Sequence, residues 1–343
     1  MSYTARLVVV ALLLAMASGA AQAGAGNRAG TGGATELLIP VGTRDIGMSG
    51  ATVSTSKGIE ALFWNPAGAA RMPGSAAFYF SHMSYIADIG VDYGAAAVNF
   101  AEFGVLAINA KALSIGEIAV TTNENPDGTG TTFSPQFFNL GLTYAKMLSE
   151  RVSVGVTATF ISERMADVSA TGVAFNAGVT YDNLASIEGL SIGLVLKNIG
   201  PEMSFDGGGL MYVAEVEDQN RPPGYYKAEA APFELPSTLE FGVGYRYAFD
   251  AQNALQVAGT FQSNNFADDE YRLGGEYAFQ GILFLRAGIT MSPEQATPEF
   301  IYGPTFGAGL RYQFGTLDLT VDYAFRSVEV FNNNHVFSLG IGL

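Results

Sequence analysis

Cysteine is absent from the 343-residue chain, which removes disulfides, thiolate nucleophiles and cysteine-bearing metal sites. Histidine is nearly absent, at two residues, so zinc or haem ligation has little to draw on and no cofactor is expected. Positive charge is scarce as well. Seventeen Lys and Arg face 32 Asp and Glu, a formal net charge of −15 with no basic cluster to meet phosphates, which excludes nucleic acid as a partner. Charge of either sign makes up 14% of the chain, against ~25% for soluble domains. Hydrophobic residues reach 48%, yet no apolar run attains the ~18 residues of a spanning helix. Apolarity spread so evenly fits a wall of membrane strands that turn every second residue to lipid; a large soluble sandwich is the alternative. Glycine, by contrast, is plentiful at 42 residues.

The opening residues read as an export signal. Arg6 supplies a positive start, Leu7 to Met16 an apolar core, and Ala21-Gln22-Ala23 a small-residue cleavage site before Gly24. Residues 1–23 are therefore expected to be a signal peptide, and the Gly- and Ala-rich residues 24–35 a flexible N-terminus. Such a chain would be handed to the outer-membrane barrel assembly machinery and stand among outer-membrane lipids.

From Ala76 to the end, residues 76–343, the sequence predicts a barrel. Fourteen strand-like segments fall near 76–86, 91–100, 104–112, 136–148, 151–162, 171–182, 190–198, 236–249, 253–263, 269–279, 282–290, 304–314, 316–326 and 335–343. Most run 9–13 residues, the length a tilted strand needs to cross a bilayer. Alternation is cleanest late in the chain: Leu317, Leu319, Val321, Tyr323 and Phe325 share one face, Asp318, Thr320, Asp322 and Arg326 the other. In the first two strands both faces are apolar and the sides stay unassigned. Tight connections alternate with longer ones, among them 114–135, 163–170 and 200–235, the rhythm of inner turns and outer loops. Tyrosines and phenylalanines such as Tyr247, Phe249, Tyr277, Phe279, Tyr312 and Phe314 collect at one end of alternate strands, as an interfacial girdle does. The fold class expected is thus an all-β membrane protein, a 14-stranded antiparallel transmembrane β-barrel.

Residues 36–75 do not alternate. They hold the single tryptophan, Trp64, and the corner Phe63-Trp64-Asn65-Pro66, which reads as one helix ending and another starting. Asn65 can cap the new turn, and Pro66 suits its first position because no donor is wanted there. This stretch is expected to be a small, mostly helical plug in the lumen. Arg44, Ile46, Met48, Leu62, Phe63, Trp64, Asn65 and Pro66 are its candidate ligand and hatch residues, the corner being either a movable part near a ligand path or a static turn packing the plug against the wall.

The run Gly42-x-Arg44-x-x-Gly47-Met48-x-Gly50-Ala51, followed by Ala61-Leu62-Phe63-Trp64-Asn65-Pro66-Ala67-Gly68, resembles the N-terminal signature of PorV/PorQ-type outer-membrane proteins, within the superfamily of FadL-type fatty-acid transporters. Leu196-Lys197-Asn198-Ile199-Gly200-Pro201 is similar to that family too, and the resemblance covers most of the mature chain. It implies a fourteen-stranded barrel with an N-terminal hatch. It also implies one of two roles: passage of hydrophobic molecules, as in FadL-type members, or reception of a cargo domain in type IX secretion, as in PorV-type members. Thr43, Asp45 and Ser49 depart from its usual pattern.

Polar residues of the later strands supply a second set of candidates. Glu240, Arg246, Arg272, Glu276, Arg286, Arg311, Asp318, Asp322 and Arg326 would line the lumen, where opposite charges on neighbouring strands can hold the wall together and grip a plug. Catalysis is not expected: Ser81 and His82 are adjacent on a strand and point to opposite faces, and Ser84 with His82 lacks a third member. The acidic loop 200–235 is the expected contact if the partner is a protein. A hydrophobic or amphipathic small molecule is the leading expectation and a secretion-system partner the alternative.

Overall fold

In the computed structural model the described residues are 30–215, 222–292 and 301–343. The signal peptide expected over 1–23, and 24–29 of the flexible stretch, lie outside them. Fourteen long strands are present: β1 (Ala76–Ser84), β2 (Gly90–Asn99), β3 (Val105–Ser114), β4 (Gln136–Met147), β5 (Val152–Met165), β6 (Val168–Asp182), β7 (Leu190–Ile199), β8 (Thr238–Ala248), β9 (Asn253–Asn264), β10 (Glu270–Phe279), β11 (Leu283–Met291), β12 (Tyr302–Phe314), β13 (Leu317–Val328) and β14 (Asn334–Gly342). Each pairs antiparallel with its neighbours in sequence. The last returns to the first, from Ala77 opposite Gly342 to Ser84 opposite His335, and this closes the barrel. Closure leaves no unpaired strand edge, as a wall in lipid requires.

Side-chain parity decides what each face meets. On β1, Phe78 and Phe80 are exposed outward while Ala77, Tyr79, Ser81 and Met83 are buried inward, which assigns the faces that alternation alone left open. Leu142, Phe306, Leu310 and Phe337 extend the outward apolar belt. One expected connection needs correction. Residues 163–170 are not a loop: β5 and β6 run through them with Met165 paired to Val168, so only Ala166 and Asp167 turn. The outer loops 115–135 and 200–237 each carry a short hairpin, in which 118–119 pairs with 132–133 and 211–214 with 224–227.

The hatch is built of short turns rather than long helices. Its α-helical pieces, Thr43–Ile46 and Ala61–Trp64, are four residues each, and 3-10 turns cover Thr35–Leu38, Gly58–Glu60 and Pro66–Arg71. Four-residue helices have almost no stability of their own. They persist because the wall supplies what they lack. Inward glycines of the wall let the hatch backbone approach directly: Gly155 and Gly178 face the Asn65–Ala67 corner, Gly193 and Gly242 face Val53 and Ser54, and Gly274 and Gly288 face Met48. A Cβ at Gly155, Gly178, Gly193, Gly274 or Gly288 would collide with hatch atoms, and one at Gly242 would be tight against Val53 at 3.0 Å.

Candidate functional site

The corner forms as its residues dictate. Asn65 leaves the helix in an extended conformation, and its Oδ1 accepts from the Ala67 amide at 3.1 Å with Pro66 at the first position of the next turn. Its Nδ2 donates to the Val53 carbonyl at 2.9 Å and the Val179 carbonyl of β6 at 3.3 Å, joining two parts of the hatch to the wall. The Trp64 indole donates to the Val41 carbonyl at 2.9 Å, and the Phe63 ring packs edge-on against Trp64 at 5.2 Å. On the opposite side of the lumen the Thr43 amide donates to the Tyr79 hydroxyl at 2.9 Å, and the Thr305 hydroxyl to the Gly47 carbonyl at 3.1 Å.

Ion pairs complete the seat. Arg44 grips Glu276 of β10 with two nitrogens at 2.9 and 3.1 Å, the fork geometry that favours arginine over lysine. Glu276 in turn accepts from Arg286 of β11 at 2.7 Å, and Arg286 is paired with Asp322 of β13. Asp45 accepts from Ser56 at 3.1 Å within the hatch, and burial raises its carboxyl above the usual range against the opposing pull of Arg44. Burial, reinforced by the carboxylates of Asp322 and Asp45, pushes Glu60 up to about 8.

A second group lies on the other side of the hatch. Lys197 of β7 is 2.7 Å from Glu240 of β8, and Arg272 of β10 is 2.7 Å from Glu270. The nine lumen charges expected from the sequence therefore divide instead of forming one network. Glu276, Arg286 and Asp322 join Arg44; Glu240 and Arg272 join Lys197; Arg311 and Asp318 pair at 3.1 Å in a part-exposed position. Arg246 is exposed and has no ion pair among the described residues. Arg326 stacks 3.8 Å from the Tyr302 ring rather than meeting a carboxylate.

Two cavities of similar size remain, one towards each end of the barrel. The outer one, about 530 Å³, is lined by Leu37, Ile39, Ile46, Phe63, Trp64, Ile86 and Leu113, with Lys197, Glu240 and Arg272 at one side. The inner one, about 520 Å³, is more charged, with Arg44, Glu60, Glu276, Arg286, Arg311 and Asp322 around it. A void of about 40 Å³ lies between Leu62, Phe63 and the polar side chains of β3–β7. Of the hatch candidates, Ile46, Phe63 and Trp64 open on the outer cavity, Arg44 on the inner one and Leu62 on the small void. Met48, Asn65 and Pro66 are buried, line neither large cavity and serve to seat the hatch.

Sequence reading missed Lys111, whose ammonium donates to the carbonyls of Glu36 at 2.6 Å and Ile39 at 3.1 Å and holds the first hatch turn. It also missed Lys197. The signal was present: each is a lone lysine within an apolar strand, at the parity opposite to its lipid-facing neighbours. Ser81 is buried inward while His82 is exposed outward beside Asp92 at 2.7 Å, so the adjacent pair is parted as expected.

Wall, belt and internal segment together define a transmembrane β-barrel closed by its own N-terminal hatch. No family model matches the sequence, and no curated protein matches it. Solved structures do. The chain is similar to the CymD monoaromatic hydrocarbon channel, with a TM-score of 0.53 at 15% identity over 89% of this chain and 97% of that one. It is also similar to a deltaS2 mutant of the TodX monoaromatic hydrocarbon channel (0.51, 12%, 88% and 97%) and to a FadL homologue of Pseudomonas aeruginosa (0.50, 13%, 88% and 98%). The fold is that of a FadL-type barrel.

Proposed function

We propose that this chain is a bacterial outer-membrane protein, exported by its signal peptide, that binds hydrophobic or amphipathic small molecules and lets them pass without energy input. The outer cavity carries this reading. Concave, largely apolar pockets of ~300–1,000 Å³ with a few polar groups are where small ligands bind, and this one, at about 530 Å³, has an aromatic floor of Phe63 and Trp64. The CymD and TodX monoaromatic hydrocarbon channels, barrels of the same fold, support the assignment. Movement from the outer to the inner cavity requires the turns over 43–64 to shift, because their residues face both. Native mass spectrometry of gently extracted protein tests the binding: a retained small apolar molecule, lost on Trp64→Ala, is expected. Protein that never carries such a molecule, with deletion causing no uptake defect, contradicts it.

A second reading has one observation in its favour. The hairpin 211–214/224–227 in the outer loop exposes Met211, Tyr212, Val213 and Tyr225, a surface a protein partner could cover. In that reading the barrel is a PorV/PorQ-type component of secretion or surface assembly. A partner captured by the whole protein and lost on trimming that hairpin would favour it; unchanged partners would remove it.

A further inference from the structure

The charged groups around the outer cavity are balanced in number: Lys197, Arg272 and Arg326 against Glu36, Glu240 and Glu270. The cations are also already engaged. Lys197 lies 2.7 Å from Glu240, with the two side chains 8% and 2% exposed. Arg272 meets Glu270 at 2.7 Å and reaches a second Glu240 oxygen at 4.0 Å. Arg326 lies over the Tyr302 ring at 3.8 Å. The Glu36 carboxyl is buried beside that of Glu163 and offers no receptor for an anion.

Two ammonium groups stand at the aromatic floor. Lys111, 5.1 Å from the Phe63 ring, is spent on the carbonyls of Glu36 and Ile39. Lys197, 5.0 Å from the Phe63 ring and 5.4 Å from that of Trp64, is the one held by a carboxylate and so the decisive cation. Free, it would pair with the head of an anionic amphiphile lying on those rings. Glu240 occupies it, itself held by the Thr238 hydroxyl at 3.3 Å. A carboxylate that enters gives up its hydration and meets only committed partners, whereas a hydroxyl or a hydrocarbon gives up far less.

We propose that Glu240 sets the specificity of the outer cavity: by occupying Lys197 it makes the cavity take neutral apolar molecules in preference to the corresponding carboxylates. This rests on the outer cavity being the ligand site, as proposed above.

Trp64 is the only tryptophan and lines the cavity, so a brominated probe that enters quenches its fluorescence on contact. The protein in phosphatidylcholine vesicles is titrated with ω-bromododecanol and with ω-bromododecanoate, at a pH of about 7, well above the usual carboxylate range and well below that of an amine. The wild type is expected to be half-quenched by the alcohol at a concentration roughly tenfold or more below that for the acid. Glu240→Gln keeps the side-chain shape and frees Lys197, and should strengthen acid binding about tenfold while leaving the alcohol unchanged. The double variant Lys197→Met with Glu240→Gln removes both charges and should keep the alcohol preference, which separates a freed ammonium from a loosened wall. Wild-type protein that binds acid as tightly as alcohol overturns the proposal, as does a folded Glu240→Gln variant with an unchanged ratio, while the cavity stands as the ligand site. Quenching by neither probe overturns the cavity as the ligand site and this proposal with it. Should Glu240→Gln not assemble, the wild-type ratio and the double variant decide.

Discussion

Arg286 is 6% exposed and shared between Glu276 and Asp322, carboxylates from the strands on either side of β11 and β12. Truncating it strands the buried Asp322 carboxylate and leaves Glu276 to Arg44 alone, and removing one partner of a buried pair costs about 3–5 kcal/mol. Arg286→Ala should therefore lose the folded, fast-migrating band on heated gels at a clearly lower temperature than wild type. Arg311→Ala should shift it little, because its bond to Asp318 is part-exposed and such pairs are worth about 0–1 kcal/mol. Wall glycines make the complementary point. A methyl at Gly155 would overlap Pro66 and Ala67, while one at Gly94 meets nothing within 4 Å. Gly155→Ala should destabilise by about 1–3 kcal/mol and open the hatch to protease; Gly94→Ala should leave both unchanged. Equal protease resistance of the two variants would show that the corner does not bear on β5.

Within the hatch, the turn Gly58–Glu60 carries a carboxyl whose charge bears on stability. The Glu60 carboxyl is pushed from 4.5 to about 8 by burial first, then by the nearby Asp322 and Asp45 carboxylates, with Arg44 and Arg286 opposing. Between those two values the folded protein holds a proton that the unfolded chain releases, so stability falls as pH rises through that window. Melting followed by Trp64 fluorescence should give a lower midpoint at the top of the window than in its lower half, and Glu60→Gln should flatten the difference. An identical slope in the variant would remove Glu60 as its source. At this scale, what alternation could reveal depended on contrast between faces. The late strands announced themselves because Asp318, Asp322 and Arg326 face inward against Leu319, Val321 and Tyr323. The first two strands were ambiguous because their inward side chains, Tyr79, Met83, Val91 and Tyr93, pack against an apolar part of the hatch and are themselves greasy. The Asn65–Pro66 corner was legible because capping is local chemistry. For Lys111 and Lys197 only the inward parity of a lone lysine in an apolar strand was legible; their partners, 72 to 75 and 43 residues away at the carbonyls of Glu36 and Ile39 and at Glu240, were not, because no local pattern encodes such pairings.

Across the whole molecule the hatch and wall depend on each other. Four-residue helices are held by glycine contacts, by Arg44 on Glu276 and by Lys111 on the first hatch turn, and Tyr79 and Thr305 of the wall find backbone partners in the hatch. The outer and inner cavities are what this arrangement leaves open, and the proposed passage of apolar molecules needs the seat to loosen without the barrel opening. Ser49 of the hatch and Thr305 of β12 bring their hydroxyl oxygens to 2.9 Å across 256 residues of sequence. The chain contains no cysteine, so a Ser49→Cys, Thr305→Cys pair would be its only two thiols. Side chains this close suit a disulfide, and the export proposed above would carry the chain to an oxidising compartment. The measurement is the extent of disulfide formation in that double variant as isolated from membranes. Near-complete crosslinking, seen as a reductant-sensitive gel shift with neither thiol open to alkylation, is the result this account predicts; two free, fully alkylated thiols in a folded barrel would contradict it.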